Sequence, residues 1–242
     1  MALFLEDITS NNNDLTNVNT ATEYTASLPF DQSSIAAEIN GSTQYFTAAD
    51  SASLSITGNI TLETWVNFDT VPSGSAGMAF FSKFDATSDE RAYLFELRDN
   101  AGTLQLRFAY STDGTFQAAN DLRVNWTPSI STWYHAAVSW TAATGVAQFV
   151  VNGSQQGADQ TGTGTSISNT TSLIVLGALD SASPSAFLDG KLDDMRIYNT
   201  ARSVATIGSD YVQELAGNES GLVAYWPFES ELGDLGSNLM FI

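Results

Sequence analysis

The stretch "FLDGKLDDMRIYNTA", Phe187 to Ala201, sets three aspartates (Asp189, Asp193, Asp194) close together and then turns apolar. It could be a metal site, a catalytic carboxylate cluster or the opening of a β-strand. The Asp189-Gly190 pair marks a turn, and the residues after it suit a strand. Adjacent strand residues point to opposite faces, so Asp193 and Asp194 cannot easily grip one ion together. On an unbroken alternation, Asp194 shares a face with Leu192, Arg196 and Tyr198. Asp193 then joins Met195 and Ile197, the row expected to face the core. A carboxylate heading such a row needs a partner. Oxygen ligands around a calcium ion would supply one, and so would capped backbone amides or pairing with Lys191 or Arg196.

Outward from this stretch the chain reads as strand after strand. In "ITLETWVNF", Ile60, Leu62, Val66 and Phe68 share one face, and Thr61, Glu63, Trp65 and Asn67 the other. "AYLFELRDNAGTLQLRFAY" reads as a hairpin turning at Asp99 to Gly102, with Phe95, Leu97, Leu104, Leu106 and Phe108 on one side. Glu96, Arg98, Gln105 and Arg107 on its other side are expected to be solvated and partly self-neutralising. "TWYHAAVSW" and "GVAQFVVNGSQQG" form the next pair, and Asn152-Gly153 is a strong hairpin-turn signal. "SLIVLGA" looks like a strand buried on both faces. One short helix is expected within "TARSVATIGSDYVQEL".

Together these segments predict an all-β chain, a two-sheet antiparallel β-sandwich of jelly-roll type. We expect a single domain over residues 1–242, with N- and C-terminal segments both completing the sandwich. The fragments "DITSN" (Asp7 to Asn11) and "DLGSN" (Asp234 to Asn238) echo each other but are too short to define a repeat.

Charge narrows the function classes. There are 27 acidic and 8 basic residues, a net charge of -19. Such a field repels nucleic acid and anionic membrane surfaces and suits divalent cations, neutral glycans or a salty exterior. The chain has no cysteine, which excludes disulfides and thiolate metal sites. The opening "MALFLEDITSNNNDL" has no basic residue and only a short apolar run, so neither a secretion signal nor a membrane span is expected there.

"TLETWVNF", "WYHAAVSW" with "FVVNGSQQG", "LIVLGA" and "FLDGKLDDMRIYNTARS" occur in that order. The set resembles the LamG-like jelly rolls of the concanavalin A-like lectin/glucanase superfamily, which is related to pentraxins. The resemblance runs roughly from Ile39 to Phe228 and implies a concanavalin A-like fold. It also implies that Trp65, Trp133 and Trp226 are packing residues. It further implies a structural calcium between the last strand and the N-terminal loop, for which Asp193, Asp194, Asp7, Asp14 and Asn40 are the candidate ligands.

Glucanases of the superfamily carry carboxylates in a pattern like E-x-D-x-x-E, aimed into one cleft by the strand period. This chain has no such triplet. Glu63 is solitary on its strand, and the single histidine, His135, reads as a packed residue inside an apolar strand. The expectation is therefore not an enzyme. Tyr110, Phe116, Asn120, Asp121, Arg123 and Trp126 form a candidate recognition loop, an aromatic surface beside polar groups. The competing reading makes its aromatics plugs at the end of the sandwich.

The expected function is a surface-exposed binding module, most simply lectin-like recognition of a glycan or glycoprotein. The alternative is a structural or decoration protein on a virion or other particle, with particle-surface proteins or further copies of itself as partners. A divergent glycosidase ranks third. The expected location is extracellular or at a particle surface.

Overall fold

The computed structural model describes residues 5–25, 28 and 35–229. Its strands, numbered in chain order, form two antiparallel sheets packed face to face, as predicted. One sheet runs β1 (Thr16–Val18), β4 (Tyr45–Ala48), β14 (Ile174–Leu176), β6 (Gly77–Asp85), β7 (Glu90–Asn100), β8 (Thr103–Gly114) and β9 (Asp121–Asn125). The other runs β12 (Ser154–Gln155), β11 (Val146–Val151), β10 (Trp133–Thr141), β5 (Ile60–Phe68), β15 (Asp189–Tyr198), β3 (Ile35–Asn40) and β2 (Thr22–Thr25). To it β13 (Gln160–Thr161) adds beside β11, and β16 (Leu222–Trp226) beside β15.

Between the sheets lies one continuous apolar core, which includes Phe46, Phe68, Phe80, Phe95, Phe108, Trp140, Phe149 and Trp226. Tilted ring pairs, such as Phe68 with Phe80 at 6.0 Å and Phe95 with Phe149 at 6.4 Å, tie the two sheets together. Truncating one such ring to alanine costs about 3–5 kcal/mol. Ile174, Val175 and Leu176 are all fully buried between β4 and β6, as the continuous run "SLIVLGA" suggested. At the β11–β12 turn, Asn152 (φ 48°) and Gly153 (φ 73°) are both left-handed, the geometry that Asn-Gly favours. The expected helix is α1 (Val204–Asp210), capped by the Ser203 side chain accepting the Thr206 N–H at 3.1 Å.

The N-terminal segment reaches both sheets, through β1 and β2, while β16 lies along β15. The fragment Asp234 to Asn238 lies outside the described residues.

The opening stretch departs from its sequence reading in two ways. Asp189-Gly190 is no turn but the start of β15, paired with Asn40 and Ile39 of β3. Gly190 is needed for closeness: a Cβ there would sit 2.1 Å from the Asn67 carbonyl oxygen. The second departure is a β-bulge. Register shifts between Asp193 and Arg196, and Asp194 takes a left-handed φ of 51°. The extra residue resets the alternation. Leu192 opposite Val66 and Ile197 opposite Leu62 face the core, whereas Asp193 opposite Trp65 and Arg196 opposite Glu63 face outward. Asp193 does not head the Met195–Ile197 row.

Candidate functional site

The five residues expected to hold calcium do not converge. Asp7 is 4% exposed, and its two oxygens accept five hydrogen bonds, from Thr9 N–H and Oγ1–H, Asn13 N–H and Nδ2–H, and Tyr225 N–H. It staples the N-terminal loop to β16. Asp14 accepts the Asp7 N–H. Asp194 grips Arg196 (Oδ2 to Nη2, 2.5 Å), and Asp193 accepts the Asp194 N–H at 2.8 Å. The Asn40 side chain caps its own turn by accepting from Ser42, Thr43 and Gln44 N–H groups. Among the described residues, no three acidic or imidazole side chains are grouped to hold a metal ion. These residues do not fit a shared calcium. Protein donors bond each of them instead.

The outer face of the β12-to-β2 sheet is roofed by the chain after β15, which includes α1. Ile207 packs on Ala137 and Val150, and Tyr211 and Val212 pack on Trp65. Beneath the roof Glu63 is fully buried. Its carboxylate lies 2.5 Å from Arg202 Nη1, 3.4 Å from His135 Nε2 and 3.8 Å from Arg196 Nη1. Arg196 also donates to the Asp210 and Gln213 carbonyls, and Arg202 pairs with Asp210. Burial opposes ionisation of Glu63, but His135 and the two arginines outweigh it and hold its pKa at about 2. His135 is fully buried, with its ring 5.7 Å from that of Trp65 and 5.4 Å from that of Tyr211. The cluster is closed to substrate and fastens the roof to the sheet.

The outer face of the other sheet carries a second ladder of charge across β7, β8 and β9. Arg107 bonds Glu96 (2.6 Å) and Asp121 (2.7 Å), Arg123 bonds Asp121 (2.7 Å), and Arg98 lies 3.5 Å from Glu96. Self-neutralisation is as expected, but solvation is not. Glu96 is fully buried, and its carboxylate fills the space beside Gly77 of β6, diagonal to it across the pair, where a Cβ would sit 2.2 Å from Glu96 Oε2. Burial opposes the charge on Asp121, and Arg123 and Arg107 outweigh it to hold its pKa below the ordinary value. Towards β9 the ladder opens, and the Arg123 side chain is 26% exposed.

Of the six residues expected to contact ligand, the structure divides plugs from surface. Tyr110 is buried against Trp140, with ring centroids 4.5 Å apart, and donates its hydroxyl to the Gly164 carbonyl. Trp126 is buried edge-on to Phe68 and Tyr134. Asn120 is buried and clamps the 163–164 backbone. Asp121 and Arg123 belong to the ladder. Phe116 alone of the six presents a large open apolar surface, being 55% exposed.

Phe116 stands over a shallow crevice shared with Phe84, Arg91, Ala109, Thr115 and Gln117. Its volume of about 10 Å³ is room for one water, so a larger ligand would lie across the ring rather than inside. Phe84 and Arg91 escaped sequence reasoning. The hairpin register that pairs Phe95 with Phe108 continues to Arg91 opposite Gly114, after a bulge that alternation does not show. A wider cleft of about 520 Å³ opens between residues 8–10 and 216–219, but no aromatic ring lines it.

Residues 40–208 match the Laminin_G_3 family, described as the concanavalin A-like lectin/glucanases superfamily, and the chain belongs to that family. Among curated proteins, nothing matches the chain in sequence. Several solved structures share its fold at low identity. A putative carbohydrate-binding protein from Bacteroides ovatus ATCC 8483 is 16% identical with a TM-score of 0.61, over 77% of this chain and 50% of its own. Domain 4 of AbnA, a GH43 extracellular arabinanase from Geobacillus stearothermophilus solved with arabinotriose, is 15% identical with a TM-score of 0.56. That match covers 81% of this chain and 87% of the domain. The enzymatically active domain of bacteriophage CBA120 tailspike protein 2 is 15% identical with a TM-score of 0.64, over 94% of this chain and 34% of its own. The chain thus spans half of the first protein and about a third of the last.

Proposed function

We propose that this sandwich is a lectin-like, non-catalytic module that binds a glycan or glycoprotein at an exterior surface. The observation that carries the reading is Phe116, a ring 55% exposed at the mouth of a crevice edged by polar side chains. Sugars present apolar C–H faces that cover such a ring while their hydroxyls reach polar neighbours. Two fold relatives are described as carbohydrate-binding or were solved with an oligosaccharide, which agrees with this reading. Glycoside hydrolysis needs two carboxyl groups on either side of a reachable bond. Glu63 and Glu96, one on each outer sheet face, are both fully buried and ion-paired, which supports a binding role.

Glycan-array screening followed by affinity electrophoresis tests the reading. Retardation by at least one polysaccharide, lost in Phe116→Ala, is the expected result. The fold shared with the phage tailspike over 94% of this chain supports a second reading, a structural component of a particle surface. Absence of retardation on every glycan, together with specific assembly into a particle or ring, would favour that second reading.

A further inference from the structure

All eight cationic side chains of the chain lie within the described residues, and each has a carboxylate partner within 4 Å. Lys83 pairs with Asp50 at 2.7 Å, Arg91 with Asp89 at 2.6 Å, and Lys191 with Asp69 at 2.5 Å. The remaining five arginines belong to the two ladders. With every cationic side chain paired, the net charge of -19 is carried by the remaining carboxylates.

The same holds at Phe116. Arg91 is the one cation lining its crevice, and both terminal nitrogens are engaged: Nη1 with Asp89 and the Gly114 carbonyl, Nη2 with the Ala86 carbonyl. Two exposed carboxylates bond residues that line the crevice, Asp113 accepting from Thr115 and Asp89 from Arg91. Asp113 precedes Phe116 by three residues, and Asp89 lies against Gly114 on the neighbouring strand end. Recognition of an anionic sugar normally uses a guanidinium free for charge-assisted, often bidentate bonds. Here the rim offers carboxylates, which accept from sugar hydroxyls and repel a carboxylate or sulfate.

We infer that the Phe116 surface selects neutral glycans over anionic ones, and that Asp89 is a specificity residue because it keeps Arg91 occupied. This rests on the lectin reading above. Asp89 suits a conservative test: its φ is 54°, a conformation that asparagine adopts readily, so Asp89→Asn keeps the turn.

The experiment is affinity electrophoresis and calorimetry at about 0.15 M salt, where charge reaches about 8 Å. The probes are neutral arabinan, galactan and lactose against polygalacturonate and sialyllactose. The wild type should bind a neutral probe at least about tenfold more tightly than its acidic counterpart, a gap of about 1.4 kcal/mol. In Asp89→Asn the gap should shrink at least about threefold as Arg91 becomes available. Equal or tighter binding of the acidic probes by the wild type overturns the inference and leaves the lectin reading standing. An unchanged gap in Asp89→Asn removes the role given to Asp89. If no probe of either charge binds, the lectin reading falls and the inference with it.

Discussion

On the face roofed by α1, Glu63, His135 and Arg196 are fully enclosed; on the opposite face, the ladder from Glu96 to Arg123 runs from complete burial to partial exposure. Both arise from the same local rule, polar residues on the outward positions of alternating strands. What separates them is the cover. Where the chain after β15 lies across the sheet, outward charges become interior ones and must be neutralised by each other. On the other face the β9 end of the ladder reaches solvent at Arg123, whose side chain is 26% exposed, and the Phe116 ring stays 55% exposed. One face holds the molecule together, and the other is left for contact.

That contrast can be broken most forcefully at Glu63. Glu63→Ala strands two arginines under the roof, and chemical denaturation should show a loss of about 3–5 kcal/mol. A loss below about 1 kcal/mol would mean the roof does not depend on the network. Acid sharpens the same point. The Glu63 pKa in the folded state is depressed from 4.5 to about 2. Its contribution is therefore fully present above about pH 4.5 and is lost as pH falls through about 2. Stability of the wild type should decline across that window, and Glu63→Gln should flatten the decline; parallel curves would contradict it.

On the open face the effect should be smaller. Arg123→Ala removes a partly exposed pair and should cost less than about 1 kcal/mol in the same assay. A larger loss would place the β9 end of the ladder among the closed networks. The smallest expected effect concerns metal. Because Asp7 and Asp194 are satisfied by protein donors, neither EDTA nor added Ca²⁺ should move the melting temperature. A rise with Ca²⁺ would show that these side chains rearrange around an ion.

The sheet strands were legible because alternation is a local signal: Ile60 to Phe68 and the Phe95–Phe108 hairpin need only period two to be read. The Asn152-Gly153 turn was legible because its backbone conformation favours those two residues. The bulge at Asp194 was not, since one inserted residue leaves no compositional mark yet puts Leu192 and Asp193 on the opposite faces from those that alternation with Met195 and Ile197 assigns. Nor was the burial of Glu96, whose carboxylate occupies the space beside Gly77 in a different strand. Tyr110, Phe116 and Trp126 have similar character in sequence. Only the path of the 162–164 backbone over Tyr110, and the rings packed on Trp126, distinguish the plugs from the exposed ring.

Calorimetric titration of Phe116→Ala with a neutral oligosaccharide bound by the wild type addresses the central claim most directly. Affinity should fall at least about tenfold, the size expected for losing one aromatic contact of about 1.4 kcal/mol. The melting temperature should stay within about 1–2 °C of the wild type, because the ring packs little of its surface. Unchanged affinity in the well-folded variant would contradict the assignment of this face as the binding surface.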